Sequence, residues 1–194
     1  MNQNAISAFE YITILISIIL GLGITQILAS VADVFHSFKK VKLYIPHTIW
    51  VIIILFLHIQ EWFIIYELKE YPVWKLPTFL FIILYPITLF IIAKLLFPRN
   101  DETDLVNLKE YYLNNFSIIF LLFCISILLS ILFNIFFLNT NFLNQAFLIL
   151  PLLFFATIAI LKIKQEWVHY AASIITLIIF IATVCIEYNN WYVK

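Results

Sequence analysis

Residues 115–138 read NFSIIFLLFCISILLSILFNIFFL, an apolar run without one charged side chain. At about 1.5 Å per residue, a helix of that length covers the roughly 30 Å of hydrocarbon in a bilayer. Strands of a membrane barrel are about 10 residues long and alternate apolar with polar side chains, which this run does not do. In lipid every backbone N–H and C=O must find its partner within the segment, so the run is helical despite its β-branched isoleucines. Working outward, similar runs lie at about 9–35, 46–66, 77–97, 142–163 and 167–188. The breaks between them are charged, or carry proline or asparagine: Phe38 to Lys42, Glu67 to Lys75, Arg99 to Leu113, Asn139 to Asn141, and Lys162 to Glu166. The sequence predicts an all-α, polytopic membrane helix bundle with about six transmembrane helices, a single integral membrane domain over 1–194.

Composition agrees. The 194 residues are 64% hydrophobic and only 11% charged, against about 45–50% and about 25% in soluble domains. Such a chain cannot coat a soluble globule with polar surface, and the bilayer is its expected partner. Acidic and basic side chains balance at 11 each. No cationic surplus is left for a phosphate backbone, which argues against nucleic acid. Cys124 and Cys185 stand in apolar runs without CxxC spacing and read as small hydrophobes. With Gly21 and Gly23 the only glycines, neither a Walker loop nor a GxGxxG fingerprint can be built. Ser30-Val31-Ala32 has some look of a signal cleavage site. The run before it lacks a basic residue, carries Glu10 and is too long for a signal core, so an uncleaved first span is expected.

Orientation follows from lysine and arginine placement. The first, third and fifth connections and their flanks hold Lys39, Lys40, Lys42, Lys94, Arg99, Lys109, Lys162 and Lys164. The other side holds Lys69, Lys75 and Lys194. Both termini are expected to be extracytoplasmic, with the basic connections in the cytoplasm. Trp74 and Trp191 then sit at the outer interface and Trp167 at the inner one.

Polar groups inside spans need a reason, because lipid does not solvate them. The first span places Thr13, Ser17, Gly21, Thr25, Ala29 and Asp33 four apart, the spacing of a small-residue seam against another helix, with Gln26 beside it. The second span carries His58 and Glu61 on one face, within reach of each other. The sixth carries His169, Ser173, Thr176, Thr183 and Glu187 as one polar stripe, and the fourth carries Ser126, Ser130 and Asn134. Such stripes serve either as packing contacts or as the wall of a solvated path. Glu10, Glu61 and Glu187 all fall in the outer halves of their spans, where converging carboxylates would attract cations. His47 and His169 begin different helices at similar depth, as an axial pair for haem requires. Lys94 is expected to snorkel toward the inner headgroups, and Pro86 to kink the third span.

Phe9-Glu10-Tyr11 followed by Ile18 to Thr25, the segment His47-Thr48-Ile49-Trp50 through Glu61-Trp62, and the Leu95-Leu96-Phe97-Pro98 ending of the third span together resemble a family of small bacterial multi-pass membrane proteins. The resemblance covers the first half of the chain. It implies a bacterial inner membrane location and no activity.

Three functions remain open. The first is a small cation or proton channel or transporter using Glu10, Ser17, Gln26, His58, Glu61, Thr176 and Glu187. The second is a redox subunit holding haem or a quinone through His47 and His169. The third is a non-catalytic sensor or partner subunit, its protein contact at loop 99–113. Association into a homo-oligomer is compatible with each, and no resident metal or cofactor is specified. No HExxH or GxSxG pattern supports a membrane hydrolase.

Overall fold

The computed structural model describes residues 7–71, 73–98 and 106–187. Arg99 and the acidic residues Asp101, Glu102 and Asp104 of the connection expected to meet a partner lie outside the described residues, as do Pro72, Tyr188, Trp191 and Lys194. Six α-helices follow one another among the described residues: α1 (Ala8–His36), α2 (Ile45–Tyr66), α3 (Leu76–Leu95), α4 (Leu108–Phe136), α5 (Ala146–Ile160) and α6 (Glu166–Glu187). The protein is all-α, and five of these helices are long and apolar enough to cross a membrane. α3 and α5 run unbroken through Pro86 and Pro151.

The helix ends show how local chemistry sets the spans. α1 opens on a capping box in which the Ser7 hydroxyl accepts from the Glu10 amide and the Glu10 carboxylate accepts from the Ser7 amide. α2 and α3 carry proline in their first turn, where the missing N–H costs nothing. α4 begins at Leu108 rather than near 115, because Asn107 caps it through the Glu110 amide and Leu108, Tyr112 and Phe116 are buried on one face. What reads as the end of a polar connection is therefore the first two turns of a helix.

α5 is shorter than its apolar run. A 3₁₀ turn occupies Phe142–Gln145, and the helix stops before Lys162, whose φ of 49° is left-handed. It nevertheless lies antiparallel along α4. The Ser117 hydroxyl donates to Ala159 O at 2.7 Å, Cys124 Sγ meets Leu152 O at 3.7 Å, and Asn134 Nδ2 donates to Gln145 Oε1 at 3.0 Å. Between Ser117 and Asn134 α4 rises about 25 Å, so α5 with its leading turn spans nearly the same depth.

At one end of the bundle the connections meet. β1 (Val41–Lys42) pairs in parallel with β2 (Val106–Asn107), Val41 opposite Val106. Lys109 Nζ lies 2.7 Å from Glu166 Oε1. The α1–α2, α3–α4 and α5–α6 connections are thus on one side, as alternating spans require. At the other end Asn139 turns the chain with φ 51°, and Gln145 Nε2 donates to Thr140 Oγ1.

α1 packs on α2 and α3, α3 also on α4, and α6 on α2. Trp50 of α2 sits fully buried among Phe120 and Phe123 of α4 and Phe155 of α5, with ring centroids 5.3, 4.9 and 5.6 Å away. Helices in lipid gain little from hiding apolar surface, so interlocking contacts of this kind hold the bundle. The outer face carries exposed Ile14, Ile18, Phe147, Leu150, Ile160, Ile178 and many more of their kind. Water would not tolerate so continuous an apolar coat, and a bilayer requires it.

Candidate functional site

His58 stands 13 residues into α2, about 20 Å along the helix from Ile45 and near the middle of the 26-residue apolar stretch Ile45–Glu70. It is fully buried. Its Nδ1 lies 2.7 Å from Ile54 O. A ring nitrogen against a carbonyl must donate, so Nδ1 carries the proton and Nε2 of the neutral ring is an acceptor. That Nε2 has no hydrogen-bond partner among the described residues. It points at Gly23 of α1, where a Cβ would overlap the imidazole. Glycine lets the ring lie against the α1 backbone.

Glu61 follows on the next turn of α2 and is also buried. Its carboxyl makes no hydrogen bond among the described residues. Since α1, α2 and α3 all touch one another, His58 against Gly23 of α1 and the buried Glu61 one turn on form a polar centre within a three-helix unit. The two side chains do not bond to each other.

The other candidates are dispersed. Gln26 accepts from Lys94 Nζ at 3.2 Å and donates to Ser30 Oγ at 3.0 Å, linking α1 to α3. Ser17 accepts from Trp62 Nε1 at 3.3 Å. Glu10 serves its own helix cap, and Thr176 donates to Ala172 O within α6. Glu187 is the last residue of α6. Thr183 and Ser173 likewise donate to their own helix, which satisfies hydroxyls in lipid without any partner helix. Among the described residues no three His, Cys, Asp or Glu side chains are grouped to hold a metal ion.

The expected small-residue seam of α1 is displaced. The buried face is Ile16, Leu20, Gly23 and Ile27, while Thr25, Ala29 and Asp33 are exposed and Gly21 has nothing within 4 Å of where a Cβ would be. Branched side chains and the single glycine that admits His58 make the closer fit.

His47 and His169 belong to a different arrangement, at the end where the strands pair. Trp50 Nε1 donates to the Tyr112 hydroxyl at 3.1 Å, Tyr112 lies 3.0 Å from His169 Nδ1, and His169 Nε2 lies 2.8 Å from Ile163 O. Each donor has an acceptor if Tyr112 donates to Nδ1 and His169 carries its proton on Nε2, which ties α2, α4 and α6 together. Both nitrogens of His169 are engaged, so binding iron there would break the chain. His47 Nε2 lies 2.7 Å from Leu96 O, fastening α2 to the end of α3. Beside them Tyr44, just ahead of α2, is packed against the rings of Tyr112 and Tyr170. Burial, with Glu166 and Tyr170 adding to it, pushes its phenol up to about 12.

Sequence reasoning picked out His58 and Glu61 but missed the part played by Gly23 and by Tyr112. No family model, no curated protein and no solved structure matches the chain.

Proposed function

We propose that this chain carries protons or small cations across a bacterial inner membrane, with His58 and Glu61 as the site. One observation carries the reading. Two titratable side chains one turn apart on α2 lie buried within a span, and the His58 Nε2 lone pair has no partner among the described residues. A lone pair held there without a hydrogen bond is costly, and intramembrane ionisable groups mark pathways more often than they stabilise. Both groups accept a proton, and both are acceptors for a small cation. Their burial favours a carrier that opens the site to one side at a time over an open pore. The lysine distribution supports both ends of the chain lying outside the cell.

The test is flux into liposomes containing a pH-sensitive dye, under imposed proton, sodium and potassium gradients. Wild-type protein is expected to dissipate at least one gradient. Glu61→Gln, nearly isosteric, is expected to bring the rate down to that of empty liposomes. Full flux from a folded Glu61→Gln, His58→Asn double variant would remove these residues and this reading with them.

A further inference from the structure

Where α1 and α2 approach the end opposite the paired strands, they part. A groove of about 570 Å³ opens between them, with Phe9, Thr13 and Ser17 on the α1 wall and Trp62, Ile65 and Tyr66 on the α2 wall. The volume is in the range of small-molecule sites. It lies within the apolar part of both helices, so in a bilayer it opens on hydrocarbon and an acyl chain is what reaches it. Acyl chains gain little by leaving one apolar medium for another, so any selectivity must come from the mouth.

The mouth carries both charges. Glu10 continues the Thr13–Ser17 face of α1 by one turn, and Lys69 continues the Trp62–Tyr66 face of α2. Lys69 Nζ donates to the Tyr66 hydroxyl at 3.2 Å and sits 5.3 Å from the centre of its ring. The Phe9 and Tyr66 rings meet edge to face at 6.3 Å, which sets the two walls at one level. Glu10 on α1 and Lys69 just after α2 thus lie about one turn beyond the residues that line the groove, a carboxylate that also holds the Ser7 amide on one wall and an ammonium at the Tyr66 hydroxyl on the other. Glu70 adds negative charge just beyond Lys69 in the chain, against Lys75. An anionic headgroup is poorly matched to this balance. A headgroup with a phosphate and a primary amine matches both walls, and the amine brings N–H donors that a quaternary ammonium lacks.

We infer that the α1–α2 groove is a binding site for a phosphatidylethanolamine-type lipid, its phosphate toward Lys69, its amine toward Glu10 and one acyl chain along Ser17 and Trp62. The inference stands apart from ion passage. Detergent-purified, delipidated protein would be titrated with dioleoyl phosphatidylethanolamine, phosphatidylcholine and phosphatidylglycerol, and bound lipid counted by native mass spectrometry. One phosphatidylethanolamine is expected to be retained with about a fivefold preference over the other two, the size of one or two exposed charge pairs. Lys69→Gln, which lies outside α2, and Glu10→Gln are each expected to reduce that preference. Ile14→Trp, which fills the groove, is expected to release the lipid whatever its headgroup. Equal retention of all three lipids, or a preference that Lys69→Gln leaves intact in protein of unchanged helix content, would mean ordinary boundary lipid and overturn the assignment.

Discussion

Trp50→Ala is expected to be the most destabilising single truncation in the bundle, by about 2–3 kcal/mol. In soluble cores Trp→Ala costs roughly 3–5 kcal/mol, part of it the transfer of the side chain from water. The unfolded reference here stays in lipid, so that part shrinks and the lost contacts remain. Those contacts are the rings of Phe120, Phe123 and Phe155, which bring α4 and α5 onto α2. Trp50→Phe keeps a ring and loses the N–H donated to Tyr112, for about 0.5–1.5 kcal/mol. Tyr112→Phe falls between, because it strands both Trp50 Nε1 and His169 Nδ1. Unfolding in mixed micelles, followed by Trp fluorescence for the Tyr112 variant and by circular dichroism for the others, gives the order. A Trp50→Ala protein as stable as Trp50→Phe would show that the aromatic cluster is not what joins these helices.

Gly23→Ala is expected to cost about 1–3 kcal/mol, the range for overpacking a filled interior, while Gly21→Ala is expected to be neutral or mildly stabilising. One methyl group separates these outcomes. At Gly23 it overlaps Nε2 and Cδ2 of His58, and the ring cannot swing aside without giving up its bond to Ile54 O. At Gly21 it meets nothing, and alanine is the better helix former. Combining Gly23→Ala with His58→Ala is expected to recover most of the loss, since each change removes the other's obstacle. Equal effects at the two glycines, or no recovery in the double variant, would place His58 elsewhere than against α1.

That pair of glycines also shows what a sequence can and cannot reveal. Four of the long spans were legible to within a residue or two, because an apolar stretch without charge has few other fates. α4 was not, since Lys109, Glu110, Tyr111 and Tyr112 read as surface. The signal that could have corrected it was Asn107 three residues ahead of Glu110, a helix start. α5 was over-read, because its hydropathy continues beyond the point where Lys162 turns the chain. The seam of α1 was assigned to the wrong face. Thr13, Ser17 and Gly21 have the spacing of a packed stripe, and so do Ile16, Leu20 and Gly23. Periodicity gives a face but not its partner. His58 and Glu61 stood out as costly residues in lipid, yet what they touch depends on the register of three helices. The Trp50–Tyr112–His169 chain joins residues far apart in sequence, and no local pattern announces it.

The sidedness of the bundle is most directly tested by thiol accessibility in intact cells, using a variant without Cys124 and Cys185. Single cysteines at Lys40, Lys164 and Glu70, all exposed, would be challenged with a membrane-impermeant reagent before and after lysis. Positions 40 and 164 are expected to react together, only after lysis, and position 70 from outside. Reaction of 40 and 164 from opposite faces would contradict the six-span arrangement and the depth it assigns to His58 and Glu61.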